Sequence, residues 1–119
     1  MVEGILLDIA GVLEQDGAAI PGSLAAVAHL RERYPVRFVT NTSRRCRAEL
    51  CRDLRSYGFV LQDEEVFSAP IAMRHYLEQH RLSPVLLVHP QLLQDFAGRV
   101  APDHTESTFR LAESTGWLD

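Results

Sequence analysis

The sequence predicts an α/β fold built on a parallel sheet, and three observations carry that prediction. Ile5-Leu6-Leu7 is apolar without alternation, as expected of a strand covered on both faces. Val36, Phe38 and Val39 repeat the theme further along the chain. Segments of helical period separate and follow these two runs, and strand–helix–strand order is most simply satisfied by right-handed parallel crossovers.

The elements follow in order. After Gly11, two short β-compatible runs flank Asp16-Gly17, the dipeptide that tight hairpin turns prefer. IPGSLAAVAHLRERY then reads as a helix, with Pro21 near its start and Leu24, Val27, Ala28 and Leu30 as its apolar stripe. Pro35 cannot continue it. The second strand follows, broken only by Arg37. The TNTS stretch supplies turn and N-cap residues, which predicts a helix from about Ser43 to Tyr57. Cys46, Leu50, Leu54 and Tyr57 share one side of that helix, and Gly58 stands where a left-handed cap is wanted. A third unit begins at Val66. It predicts a helix over Ala69–Leu82 closed by Ser83-Pro84, a buried strand over Val85–Val88 and a short helix over Gln91–Ala97. Beyond Gly98 the periodicity fails, apart from a turn or two of helix at Phe109 to Ser114. No internal repeat or low-complexity tract interrupts the chain.

Bulk properties narrow the function classes. With 119 residues the chain is one domain's worth, and 46% hydrophobic against 24% charged residues is an ordinary globular balance. A formal net charge of −4 gives no general attraction to nucleic acid or to an anionic membrane. No apolar run approaches the ~20 residues of a membrane span. The N-terminus places Glu3 ahead of its apolar stretch and has no basic region, unlike a signal peptide. Cys46 and Cys51 match no metal motif at their spacing and read as partly buried, reduced thiols of a cytoplasmic protein. His29, His75, His80, His89 and His104 share no ligand spacing, and only His89, directly after a predicted strand, stands out. Trp117 reads as a packing anchor.

The chemistry gathers at the strand ends. Ligands of open α/β sheets bind outside the carboxyl ends of strands, where Asp8, and Thr40 with Asn41, fall. A carboxylate, a hydroxyl and an amide there suit an anion accompanied by a divalent cation, and hard Mg²⁺ prefers oxygen ligands. Gly11 permits close backbone approach, and the N–H groups around it can form an anion nest. Arg44, Arg45 and Arg47 crowd the predicted first helical turn, where the macrodipole disfavours cations and a phosphate or acidic substrate would offset the conflict. The plain alternatives are that Asp8 caps a turn, Thr40 ends a strand and the arginines form a solvated face.

These residues also carry a resemblance. Asp8-Ile9-Ala10-Gly11-Val12-Leu13, the Asp16-Gly17 hairpin, Ile20-Pro21-Gly22 and Phe38-Val39-Thr40-Asn41-Thr42 together resemble the haloacid dehalogenase-like (HAD) hydrolases, more narrowly their NagD-like subclass, over about Met1 to Gly98. The resemblance implies a partial Rossmann-like core with a parallel sheet over residues 1–65, bearing a hairpin flap. It further implies the start of an α/β cap over 66–98, and leaves 99–119 as an atypical tail. It implies that Asp8 is the phosphoryl-accepting nucleophile and a Mg²⁺ ligand, and that the backbone carbonyl of Ala10 is a second ligand. Thr40 then binds the transferring group, with Asn41 and Gly11 beside the substrate.

Two departures from the family pattern qualify that expectation. The usual second acid, which moves the proton, is replaced by Ala10, although phospholysine-type relatives also lack it and carry Ser. The later lysine and acidic pair have no counterpart: every basic residue of the Lys+Arg count is Arg, and no strand precedes Asp103, Glu106 or Glu113 to position them.

The chain therefore reads as a truncated, impaired magnesium-dependent phosphatase that forms an aspartyl-phosphate, acting on a phosphorylated small molecule or phospho-amino acid. The alternative is a non-catalytic binding or interaction module of the same descent. In both, an unfinished sheet leaves apolar edges that a homo-oligomer would cover. A response-regulator-like phosphoacceptor would need an N-terminal acidic pair and a later lysine, which Glu3 alone does not supply.

Overall fold

The computed structural model describes residues 1–98, so the expectations for the 99–119 tail, including Asp103, His104, Glu106, Phe109–Ser114 and Trp117, lie outside the described residues. The chain divides into two compact units, Met1–Asn41 with Arg47–Ser68, and Thr42–Cys46 with the residues from Ala69 on. Among the described residues no helix is long and apolar enough to cross a membrane.

The first unit is a three-stranded parallel sheet in the order β1 (Ile5–Asp8), β4 (Val36–Thr40), β5 (Val66–Ser68), with the hairpin β2 (Glu14–Gln15) and β3 (Ala18–Ala19) after β1. The hairpin turns on Asp16 and Gly17, whose φ of 53° and 79° are the two positive values a type I′ turn requires. Helix α1 (Ser23–Arg31) starts after left-handed Gly22, and the buried Ser23 hydroxyl donates to the Leu13 carbonyl at 3.0 Å, tying the helix to the hairpin.

Register assigns the two faces of the sheet. Ile5 lies beside Val36, Leu7 beside Phe38, and Phe38 beside Val66, so these side chains share one face. Val27 and Leu30 of α1 and Leu50, Cys51 and Leu54 of α2 (Arg47–Ser56) pack with them, joined by Ile9, Leu13, Phe59 and Leu61. Leu6, Asp8, Arg37, Val39 and Phe67 share the other face, where Leu6 is 70% and Phe67 44% exposed. Among the described residues the continuous Ile5–Leu7 run is thus covered on one face, not two. Both crossovers advance in the same direction across the sheet, and a fixed right hand puts both helices on the same side.

Helix α2 ends as its sequence predicts. The Phe59 N–H bonds the Leu54 carbonyl and the Gly58 N–H bonds that of Arg55, with Gly58 at φ 106°, the paired bonds of a Schellman cap. Its start differs from expectation: it begins at Arg47, not Ser43. Cys46 is buried in the second unit with its Sγ 3.4 Å from Gln94 Oε1, which takes the Thr42–Cys46 stretch off the helix. Neither cysteine is in a disulfide, and both are fully buried rather than partly so; burial, then Asp63, pushes the Cys51 thiol up to about 12.

The second unit holds α3 (Ala69–Gln79) and a 3₁₀ segment over Pro90–Phe96, where the sequence predicted a short helix. Leu77, Leu92 and Phe96 form its core, with Leu86 and Val88 packed against them. Arg74 braces it, donating to Glu78 at 3.0 Å and to the Asp95 carbonyl at 3.1 Å. Val85–Val88 corrects the prediction of a buried strand. It belongs to no strand ladder, because no neighbouring strand stands beside it among the described residues.

Candidate active site

Three parallel strands end together and each contributes a polar side chain. Asp8 closes β1, Thr40 closes β4 and Ser68 closes β5. Thr40 is in register with Ser68, while Asp8 is in register with Val39, one residue short of Thr40. Adjacent strands run ~4.8 Å apart, so Asp8 and Thr40 are close neighbours at one end of the sheet. Pleating turns Asp8 to the open face and Thr40 to the helix-covered face. The Asp8 carboxylate is exposed and has no hydrogen-bond or ion-pair partner among the described residues. Asn41 follows Thr40 and is exposed as well.

The loop after Asp8 is held by its own backbone. The Ile9 carbonyl accepts from the N–H groups of Val12, Leu13 and Glu14, and Gly11 N–H donates to the Glu14 carbonyl at 2.8 Å. Those bonds engage every N–H from Gly11 to Glu14, so the nest expected around Gly11 does not form from them. The glycine is needed for its φ of 75°, since nothing lies within 4 Å of where a Cβ would stand. The Ala10 carbonyl, in contrast, accepts no hydrogen bond among the described residues.

These oxygens allow a test of the implied metal. A partnerless carboxylate and a partnerless carbonyl two residues apart are hard donors of the kind Mg²⁺ takes. That ion is commonly held by one or two carboxylates, substrate phosphates and several waters. The donor types therefore fit, as part of a ligand set. Among the described residues no group of three or more His, Cys, Asp or Glu side chains could hold a metal without further ligands.

The other sequence candidates distribute differently. Arg44 and Arg45 precede α2 instead of crowding its first turn, which only Arg47 occupies. The histidines form no metal-binding cluster among the described residues, and His89 caps the Pro90–Phe96 segment by accepting from the Gln91 N–H at 3.3 Å. An apolar cleft of about 70 Å³ lies between α1 and Gly58–Val60 and is lined by none of the strand-end groups.

Two residues at this end of the first unit escaped the sequence reading. Ser68 is buried at the third strand end, in a three-residue stretch that the sequence marks only as the start of a new unit and that pairing with β4 makes a strand. Glu14 is buried although charged, and its backbone bridges to Ala10. Its only sequence signal is an acid that directly follows the apolar pair Val12-Leu13.

At the opposite end of the sheet, Arg31 Nη2 reaches both carboxylate oxygens of Glu65, at 2.9 and 3.1 Å. Burial would raise the Glu65 carboxyl, but the Gln62 N–H, Arg31 and Arg37 outweigh it and hold the group below its ordinary value.

Comparison with known proteins gives this arrangement a context. The family described as haloacid dehalogenase-like hydrolase matches residues 5–99. The human phospholysine phosphohistidine inorganic pyrophosphate phosphatase is 44% identical over 100 residues, 80% of this chain and 37% of that protein. The rat haloacid dehalogenase-like hydrolase domain-containing protein 2 is 37% identical over 99 residues, 82% of this chain and 38% of the relative. Among solved structures, a 4-nitrophenylphosphatase from Thermotoga maritima superposes with a TM-score of 0.75 at 29% identity, over 87% of this chain and 42% of that one. The chain thus spans less than half the length of each.

Proposed function

This chain belongs to the haloacid dehalogenase-like hydrolase family, and from that premise we propose that it carries the nucleophile half of a magnesium-dependent phosphatase site. The observation that carries the reading is the Asp8 carboxylate: it closes a strand, faces solvent without a partner and has Thr40 on the neighbouring strand end. One Asp8 oxygen attacks phosphorus, the bond from phosphorus to the leaving oxygen breaks, and an aspartyl-phosphate results. Water then attacks that phosphorus and restores the carboxylate. Thr40 and Asn41 hold the phosphoryl oxygens, with the Gly11 turn beside them. Mg²⁺, held by Asp8 and the Ala10 carbonyl, would neutralise the repulsion between carboxylate and phosphate. The substrate is a phosphorylated small molecule or a phospho-amino acid, and residues from Ala69 on, not from Val66, whose strand belongs to the core sheet, begin the cap that would select it.

With Ala10 in place of an acid, the leaving group departs without a proton from that position. General acid catalysis is typically worth 10²–10⁴-fold, so good leaving groups are favoured strongly over alkoxides. The decisive measurement is Mg²⁺-dependent hydrolysis of an aryl phosphate by the 119-residue chain beside Asp8→Asn. The expected result is turnover that needs both the ion and Asp8; equal rates for the two proteins would sink the proposal.

One observation favours a second reading, a non-catalytic module that self-associates. The sheet face bearing Leu6, Val39 and Phe67 is uncovered by either helix, and β1 is paired on one edge only among the described residues. Equal rates together with a dimer lost on Leu6→Asp would establish it.

A further inference from the structure

Register sets the Asp8 carboxylate at one end of a row. Asp8 stands beside Val39 and Val39 beside Phe67, so three side chains cross the open face of the sheet at one level. The row passes from a carboxylate over a half-buried valine to an exposed phenyl ring, and two strand spacings make it ~10 Å long. Arg37, the other charged residue of this face, stands two residues back along β4, beside Leu6, and donates to the Val36 carbonyl at 2.9 Å.

We propose that Val39 and Phe67 form a platform for the leaving group and select an aromatic one, which makes the substrate an aryl phosphate. The inference rests on Asp8 as the nucleophile. Two independent features choose this occupant, and the first is geometric. Attacking and leaving oxygens lie roughly in line through phosphorus, with a carboxylate oxygen poised to attack ~3–3.5 Å away. Because β1 is an edge strand, only the direction across the sheet offers that line an apolar surface among the described residues. A leaving group on this line lies over Val39, and a ring attached to the leaving oxygen reaches Phe67 for an offset or edge-to-face contact. The second feature is chemical. Ala10 offers no proton, so the P–O bond breaks with its electron pair kept on an unprotonated leaving oxygen. A phenol, with a pKa of ~10 as in tyrosine, releases that anion far more readily than an aliphatic alcohol. Different residues thus demand a ring and an acidic leaving group, and one substrate class meets both.

The test is titration calorimetry of the full chain with Mg²⁺ and two non-hydrolysable ligands, benzylphosphonate and methylphosphonate. Hydrolysis of phenyl phosphate and acetyl phosphate is measured beside it, since acetate leaves readily but carries no ring. Phe67→Ala removes the ring, Phe67→Tyr keeps it, and Leu6→Ala alters the same face off the row; both positions are exposed, so no packed core group is lost. The expected result is benzylphosphonate bound about tenfold tighter than methylphosphonate, a preference lost in Phe67→Ala and kept in the other two variants. The kcat/KM for phenyl phosphate falls by about the same factor in Phe67→Ala, while that for acetyl phosphate does not change. No preference in the wild type, a preference that survives Phe67→Ala, or one lost equally in Leu6→Ala would each overturn the platform. Equal turnover by wild type and Asp8→Asn would instead overturn the nucleophile reading, with the two phosphonates still deciding the platform.

Discussion

Ala10 concentrates what a single position can decide in this chain. Its carbonyl is as available as any residue's would be, but its methyl group can neither give nor take a proton. Restoring an acid there isolates the cost. Ala10→Asp is expected to raise turnover of an alkyl phosphate by about 10²-fold, the low end of general acid catalysis, while changing that of an aryl phosphate much less. Steady-state kinetics on the two substrates check it, and an equal change in both would show that proton transfer is not what the chain lacks. Asp8 and Thr40 were legible as strand ends because each closes an apolar run, and a strand that stops on a polar side chain announces the end of a sheet. Ser68 was not legible. Three residues are too few to show a period, and only pairing with β4 reveals that Val66–Ser68 is a strand.

Elements were readable where local chemistry dictates them and unreadable where another segment does. The Asp16-Gly17 hairpin and the Gly58 cap are set by backbone preferences of the residues themselves, and both form as expected. The start of α2 is set by where Cys46 is buried, which no N-cap signal encodes. Val85–Val88 has strand composition, but a strand needs a neighbour, and composition cannot supply one.

The end of α3 offers a test of local strain. Leu82 N–H bonds the Leu77 carbonyl and Arg81 N–H that of Glu78, a Schellman cap built on Arg81 at φ 53°, where glycine would carry no steric penalty. Arg81→Gly is expected to stabilise the second unit by about 0.5–1 kcal/mol after the added backbone entropy of glycine is set against the relief. A thermal melt that does not rise would mean that the Arg81 side chain contributes a compensating contact.

At the scale of the whole molecule, the acid limit of the first unit should bear the mark of Glu65. Its folded value lies below the ordinary 4.5, so its stabilisation is fully present above that pH and is lost as the pH falls through the lower folded value. Glu65→Gln is expected to lower stability by about 1.5–3 kcal/mol at neutral pH, the range for hydrogen bonds to charged groups, and to flatten the loss below pH 4.5. Denaturant melts at pH 7 and at lower pH compare the two proteins. A parallel decline would place the acid sensitivity elsewhere.

The α/β class, the parallel sheet and the family were legible from Met1 to Gly98; one-sided coverage of the sheet was not, because apolar runs report what a strand can bury and not what arrives to bury it. The division into units also orders events in time. The first core is complete once Val66 has left the ribosome, so it can close while the end of the chain is still being synthesised. Thr42–Cys46 emerges earlier but belongs with residues that come later, Gln94 among them. This short stretch must wait, and a nascent chain that has left the ribosome only as far as Ser68 would display it to proteases and chaperones as an early segment whose packing partners are still to come.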